Sequence, residues 1–257
     1  MSRVAIVTGG GRGIGAATVA ALAADGWRVL AVDRGADDPR LPYALATPEE
    51  LNAVAGGDHV RAAVADAADA EAMTAVVAEA EEWGELEAIV ANAGVIAGGG
   101  PAWELDPAAE DAVVDTCLRG TMVAARVGIP ALLRRPQPRA GRFVATASAA
   151  SLRGLPGLAA YCAAKAGVAG FVAALAADLR GTGITANAVA PGSTDTAILA
   201  ESARIYGLDG AADFASQQPI GRLIEPAEVA ALIAWLLGPA GAAVTGATLP
   251  VDGGLSI

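Results

Sequence analysis

Tyr161 and Lys165 are the residues best suited to chemistry, because they stand four positions apart in an Ala-rich segment. A helix over this segment puts both side chains on one face, with the lysine ammonium near the phenol. A free tyrosine has a pKa of about 10, and a neighbouring cation favours its ionised form. We therefore expect Lys165 to lower the pKa of Tyr161 toward the range in which a phenol exchanges protons with an alcohol or a carbonyl near neutral pH.

Ser148 lies thirteen residues before Tyr161, directly after the apolar run Arg142–Ala147. Such a run is typical of a buried parallel strand, and a hydroxyl at its end can hold a substrate oxygen. Taken alone, the Tyr161–Lys165 pattern also fits an ordinary helix with one exposed lysine. The rest of the chain must distinguish between the two interpretations.

Ser148, Tyr161 and Lys165 in this spacing resemble the catalytic set of the short-chain dehydrogenase/reductase family. The resemblance implies an oxidoreductase that moves hydride between a nicotinamide cofactor and a secondary alcohol or ketone. Short apolar runs alternate with longer Ala-rich stretches, a pattern of β-α-β units. We expect an α/β fold: a Rossmann-like, doubly wound parallel sheet of about seven strands with helices on both faces.

Length and composition limit the possibilities further. The 257 residues are 54% hydrophobic, which suits one domain over 1–257 with a sizeable core. We expect no membrane-spanning run and no signal peptide, hence a cytoplasmic protein. Two cysteines are too few for a disulfide framework, and with a single histidine we expect no metal site. The net charge of −11 argues against nucleic acid and membrane partners.

A glycine-rich turn follows the first predicted strand, Arg3–Val7, and precedes a helix predicted to end near Asp25. Its sequence from Thr8 to Gly15 is T-G-x-x-x-G-x-G, the family's variant of the dinucleotide-binding turn. Glycines there let the backbone approach a pyrophosphate at the positive end of the helix. The predicted cofactor contacts of this turn are Gly9, Gly11, Arg12, Gly13 and Ile14.

Asp33 ends the second predicted strand, Trp27–Val32, about twenty residues after the glycines. A carboxylate there accepts hydrogen bonds from the adenosine ribose and repels a 2′-phosphate, which predicts NAD rather than NADP as the cofactor. Arg34 is included among the predicted cofactor contacts, and it can be either a phosphate-binding cation or a solvated loop cation.

Further positions match the family after later strands. The strands His59–Ala65 and Leu86–Ala91 are followed by an Asp-Ala pair and by an Asn-Ala-Gly turn, and the strand Ile184–Val189 leads to a Pro-Gly motif. The resemblance implies cofactor contacts at all of them. These residues are Asp66, Ala67, Asn92, Ala93, Gly94, Pro191, Gly192, Thr194 and Thr196, together with Tyr161 and Lys165.

Cys117 departs from the family pattern within a helix predicted over Ala108–Leu133. Relatives carry asparagine in an N-L-x-G pattern, where this chain has Cys117-Leu-Arg-Gly120. In the family that asparagine assists a proton path from the lysine, partly through a main-chain carbonyl that any residue supplies. A cysteine inside a helix is more often a small buried apolar residue than a reactive thiol.

The segment Arg34–Asp58 is longer than a usual β-α connection and has a short predicted helix from Pro48. Leu41, Tyr43 and Leu45 need an apolar surface, and the position after Asp33 places them beside the adenosine half of the cofactor. The amino-acid sequence of the segment is similar to that of mycofactocin-coupled short-chain dehydrogenases. That resemblance implies a cover under which NAD stays bound and is re-oxidised by mycofactocin. An ordinary loop with freely exchanging NAD is the alternative.

Residues 197–220 are predicted to form a mainly apolar substrate lid, which suggests a hydrophobic alcohol or ketone. A nucleotide-binding sensor without turnover is a second class of function, for which Cys117 is the support. Relatives commonly form dimers and tetramers, so we expect a homo-oligomer. The familiar ending, a helix at Pro226–Leu237 and a strand at Thr248–Val251, extends the resemblance over nearly the whole chain.

Overall fold

The short apolar runs form a single sheet in the computed structural model, which describes residues 2–257. Its order is β3-β2-β1-β4-β5-β6-β7, and all neighbours are parallel. This confirms the predicted doubly wound sheet of seven strands. The strands are β1 (Arg3–Thr8), β2 (Arg28–Asp33), β3 (Val60–Val64), β4 (Glu85–Ala91), β5 (Arg142–Thr146), β6 (Thr185–Pro191) and β7 (Thr248–Val251).

Helices cover both faces of the sheet because successive strand residues point to opposite sides. On one face Phe143 packs with Ile89 and Leu132, and on the other Val144 packs with Leu22 and Ile233. The eight α-helices are α1 (Gly13–Ala24), α2 (Pro48–Val54), α3 (Ala70–Trp83), α4 (Pro107–Val113), α5 (Gly120–Arg134), α6 (Ala159–Asp178), α7 (Ala197–Tyr206) and α8 (Pro226–Leu237).

One predicted helix is divided in the structure. The sequence favours a continuous helix over Ala108–Leu133, whereas a π-helical turn at Val114–Arg119 separates α4 from α5. Within the wider turn the Thr121 hydroxyl donates to the Cys117 carbonyl at 2.8 Å. The prediction was wrong here because a π turn is a rare single-turn change to i→i+5 bonding inside a helix, which the residue types of this segment do not signal.

α6 is, among residues 2–257, the one helix long and apolar enough to suit a membrane span. No such run was expected from the sequence, and α6 meets the criterion by length and composition only. Its apolar character has an explanation within the fold, since Val168 and Val172 are buried against the sheet and Lys165 is buried beside them. The opposite face is exposed and consists mainly of Ala and Gly.

Three polar side chains join the carboxyl ends of β1, β4 and β5. The Thr8 hydroxyl accepts hydrogen bonds from the amides of Asn92 and Ala93 at 3.0 and 3.1 Å. The Asn92 side-chain NH2 group donates to the carbonyls of Thr8 and Gly9, both at 3.2 Å. The Asn92 side-chain oxygen accepts from the Thr146 hydroxyl at 3.0 Å. These bonds fix the edge of the sheet where three loops begin.

Replacement of Asn92 by alanine tests this junction. Asn92→Ala leaves two carbonyls and one hydroxyl without their partner, so we expect a loss of about 2 to 4 kcal/mol in the free energy of unfolding. Urea unfolding measures it, with the exposed Asn52→Ala as the control. Equal stability of the two variants would contradict the role given to this network.

Candidate active site

A groove of about 560 Å³ runs along the carboxyl edge of the sheet from Asp33 to Tyr161. In doubly wound sheets this edge is where ligands bind. Of the residues that the sequence singled out as catalytic or cofactor-binding, all but Gly11 line this groove. The sheet thus brings them together although they are spread from Gly9 to Thr196.

The glycine-rich turn forms an open cradle at the amino end of α1. Gly9 and Gly13 have φ of +64° and +58°, a backbone conformation that favours glycine. A Cβ atom on Gly15 would collide with the carbonyl oxygen of Gly9. No side chain caps α1, so its first main-chain N–H groups can donate hydrogen bonds to an anion. This cradle fits a dinucleotide pyrophosphate.

Asp33 is held by main-chain donors at the tip of β2. Its two carboxylate oxygens accept from the amides of Gly11 at 3.0 Å and Arg34 at 2.8 Å. Gly11 therefore positions Asp33 rather than lining the groove. Burial raises the pKa of Asp33, and the two amide donors oppose that rise. Each oxygen keeps acceptor capacity for ribose hydroxyls.

Arg34 lines the groove and is paired with carboxylates there. Its guanidinium donates to Asp38 at 2.7 Å and lies 3.6 Å from a carboxylate oxygen of Asp66. Asp38 is only 2% exposed and also accepts from Arg40, whose hydrogen bonds hold the pKa of Asp38 well below its usual range. Two carboxylates thus neutralise the charge that Arg34 could otherwise offer to a phosphate.

Tyr161, Ser148 and Lys165 meet at the other end of the groove. Lys165, the single lysine of the chain, is only 3% exposed, and its ammonium donates to the Thr146 carbonyl at 2.7 Å. The ammonium lies 5.8 Å from the centre of the Tyr161 ring. The Ser148 hydroxyl accepts from the amide of Ala150 at 3.1 Å.

The expected lowering of the Tyr161 pKa is wrong for the chain by itself. Burial raises the pKa of this phenol above the ordinary value, and the Ser148 hydroxyl offsets only part of the rise. The physical reason is that the Lys165 ammonium is bonded to Thr146, while the apolar side chains of Cys117 and Ala164 surround the phenol. Without a ligand, Tyr161 is therefore a protonated acid.

Cys117 is fully buried, which agrees with its interpretation as a small apolar residue. Its thiol donates to the Val95 carbonyl at 3.3 Å, in the loop that follows β4. The main-chain carbonyl of Cys117 accepts from the Thr121 hydroxyl at 2.8 Å.

Residues 37–46, which we call the strap, cross the groove between its two ends. Arg12 donates to the Ala44 carbonyl at 2.9 Å, and the Tyr43 phenol accepts from the amide of Ile96 at 2.9 Å. Leu41 is buried, and Tyr43 and Leu45 pack on the same cluster. The expectation that this segment lies beside the adenosine half was too narrow, because the same cluster includes Tyr161.

A second cover lies over the Ser148 end of the groove. The hydroxyl of Tyr206, the last residue of α7, donates to the Pro156 carbonyl at 2.8 Å. The rings of Tyr206 and Phe214 meet edge to face with centres 6.0 Å apart. Ile198 and Leu208 also line the groove here, so its surface is mainly apolar.

Thr8 and Thr146 are functional neighbours that sequence reasoning missed. Thr146 supplies the carbonyl that holds Lys165, and its hydroxyl holds Asn92. The available signal was a threonine at the end of a buried apolar strand. Arg40 and Asp38 were missed as well, although both stand in the unusual D-D-P-R sequence of the strap.

Comparison with known proteins matches nearly the whole chain. Residues 9–256 match the family model described as enoyl-(acyl carrier protein) reductase. The chain is 34% identical to 2-(S)-hydroxypropyl-CoM dehydrogenase 3 of Xanthobacter autotrophicus, over 99% of this chain and 97% of that protein. It is 39% identical to cis-4-hydroxycyclohexanecarboxylate dehydrogenase of Sinomonas cyclohexanicum, over 98% and 96%.

A solved structure shows the same architecture. Carveol dehydrogenase from Mycobacterium avium in complex with NAD superposes with a TM-score of 0.91 at 29% identity, covering 98% of this chain and 97% of that one.

The pKa values of the phenols generate a prediction. Burial raises the pKa of all three tyrosines, Tyr43, Tyr161 and Tyr206. Because the folded state holds these protons more tightly, their contribution to stability is fully present below the unfolded pKa of about 10 and is lost as the pH rises above it. We expect tyrosinate absorbance to appear near pH 10 in urea and at higher pH in the folded protein.

The Tyr161→Phe variant assigns the titration of that phenol. A folded-state transition below about pH 10 that disappears in this variant would show that Lys165, and not burial, controls the pKa of Tyr161.

Proposed function

The chain belongs to the short-chain dehydrogenase/reductase family, and from this premise we propose that it transfers hydride between NAD and a secondary alcohol or ketone. The observation that carries the proposal is the meeting of Ser148, Tyr161 and Lys165 at one end of a groove whose other end holds the glycine cradle and Asp33. The two relatives are both named as dehydrogenases of hydroxylated substrates.

Three side chains divide the work on the substrate oxygen. Bound NAD supplies the hydride acceptor or donor. Ser148 holds the oxygen by its hydroxyl, and Tyr161 gives a proton to it or takes one from it. A protonated Tyr161 suits ketone reduction, whereas alcohol oxidation needs the phenolate, whose charge the Lys165 ammonium stabilises. The surrounding apolar cluster excludes water from this exchange.

Substitutions at this end test the division of roles. Tyr161→Phe should reduce turnover by about 10²- to 10⁴-fold with cofactor binding intact, because only the exchangeable proton is lost. Lys165→Ala should impair both turnover and cofactor binding, since we propose that its ammonium also reaches the nicotinamide ribose. Steady-state kinetics and cofactor titration measure these effects, with the exposed Asn52→Ala as the control. A Tyr161→Phe enzyme that kept most of its rate would show that another group moves the proton.

The choice of NAD over NADP rests on Asp33 and on the engagement of Arg34. A 2′-phosphate would meet the Asp33 carboxylate, and the guanidinium that could offset it is bonded to Asp38. The NAD in the carveol dehydrogenase structure is consistent with this choice.

Calorimetry on cofactor-free protein tests the choice. We expect NADP to bind at least about tenfold more weakly than NAD, which is about 1.4 kcal/mol. Asp33→Ser should reduce the difference in affinity between NAD and NADP, and the exposed Asp25→Asn should leave that difference unchanged. Equal or tighter binding of NADP would mean that Arg34 leaves its carboxylate partners to bind the phosphate.

We further propose that NAD is retained during turnover and re-oxidised by mycofactocin. The likeness of residues 34–58 to the mycofactocin-coupled subgroup suggests this, and two contacts support it physically. The strap is bonded to the cradle through Arg12 and Ala44, and to the far wall through Tyr43 and Ile96. A cover that is bonded to both sides of a groove slows dissociation of what lies beneath it. An ordinary family member with freely exchanging NAD is the alternative, and a sensor without turnover is the alternative of another class.

Purification without added nucleotide distinguishes these possibilities. We expect heat denaturation to release near-stoichiometric NAD, and the native protein to reduce an artificial electron acceptor in the presence of alcohol without turning over external NAD. Empty protein that uses free NAD at ordinary rates would identify the plain dehydrogenase. Bound NAD without reduction of any acceptor across an alcohol panel would favour the sensor.

The proposal also covers the substrate and the assembly. Residues 197–220 act as the substrate lid, whose apolar lining suits a hydrophobic alcohol or ketone. The exposed Ala- and Gly-rich face of α6 lets another helix approach closely, which supports a homodimer or homotetramer.

A further inference from the structure

Arg40 in the strap binds carboxylates on both sides of it. Its guanidinium donates to Asp38 within the strap at 2.8 and 3.0 Å. The same group donates to Asp115 of the π turn at 2.8 Å. Asp38 is buried and is also bonded to Arg34, so the strap end of this arrangement is fixed.

Among residues 2–257, Arg40–Asp115 is the one ion pair that joins the strap to the π turn. Asp115 precedes Cys117 by two residues, and Cys117 packs in the cluster that surrounds Tyr161. The pair therefore connects the cover of the groove to the wall behind the proton-transfer group.

The residues that follow Arg40 reach the same wall. Leu41 is only 8% exposed and lies in the cluster with Cys117 and Ala164, and Tyr43 packs on it. Release of the strap would thus remove the apolar side chains that keep water from Tyr161, and would also free the Ile96 amide from the Tyr43 phenol.

We propose that Arg40 is a positioning residue that clamps the strap onto the π turn, so that covering of the cofactor groove and exclusion of water from Tyr161 occur together. The effect of the clamp on turnover rests on the proposed function, whereas the clamp itself is a property of the chain. Both partners of the Arg40–Asp115 pair are partly exposed, so salt weakens the clamp.

Arg119 provides a matched control. It pairs with the same Asp115 at 3.3 Å but stands in the π turn itself and does not reach the strap. Arg119→Ala therefore removes an equal charge and one ion-pair contact with Asp115 while leaving the strap clamped.

Hydrogen exchange at the Ile96 amide in cofactor-free protein reads the clamp directly. We expect Arg40→Ala to accelerate exchange there by about fivefold or more, as loss of about 1 kcal/mol implies, with Arg119→Ala unchanged. Arg40→Lys should restore part of the protection, because an ammonium keeps the charge without the two-sided fork. Added salt should accelerate exchange in the unmodified protein and have little effect in Arg40→Ala.

The release rate of bound NAD and the turnover number complete the test. Faster NAD release and lower turnover in Arg40→Ala, but not in Arg119→Ala, are expected. If Arg40→Ala does not fold, Arg40→Lys and Asp115→Asn replace it. Unchanged Ile96 exchange in folded Arg40 variants would overturn the clamp, whatever the activity. If Arg40→Ala alters exchange at the Ile96 amide but the unmodified protein has no turnover, the result would support the clamp and refute the proposed function.

Discussion

The hydrogen bonds among Thr8, Asn92 and Thr146 are the constraint on which the rest of the site depends. Parallel strands end with carbonyls and amides that have no further neighbour, and these must be satisfied before any loop can be held in place. Here one threonine and one asparagine satisfy groups on β1, β4 and β5 at once. The same Thr146 residue offers its carbonyl to Lys165, so the position of the ammonium is set by the sheet itself and not by the helix that carries it.

Charge is distributed along the groove in a way that suits its two ends. Near the cradle, carboxylates outnumber free cations, because Arg34 is taken up by Asp38 and Asp66. At the catalytic end, the Lys165 ammonium and the hydroxyls of Ser148 and Tyr161 lie among apolar side chains. The strap connects the two environments, with the buried Asp38 carboxylate near its first residue and the Tyr43 ring further along. The strap thereby covers the groove across its middle.

The sequence predicted those features that depend on local pattern. The seven strands, the glycine turn and the spacing of Ser148, Tyr161 and Lys165 follow from periodicity and short-range geometry, and the fold placed these residues on one groove. Other features depend on distant contacts. The ion pairs of Arg34 could not be predicted because its partners include Asp66, thirty-two residues away, and the pKa of Tyr161 was misjudged because the burial around it comes from Cys117 and the strap. The π turn was missed because it is a rare single-turn change to i→i+5 bonding that the residue types of this segment do not signal.

Lys165 has a consequence for the chemistry of the protein surface. It is the single lysine and is buried, so every other basic side chain apart from His59 is an arginine. The exterior therefore presents guanidinium groups that stay charged at any working pH, and no side-chain amine. Acylating reagents, aldehyde fixatives and amine-coupled supports find no lysine to modify on the folded protein. Acylation of Lys165 would report that the interior has opened, which makes this side chain an intrinsic label for the state of the groove.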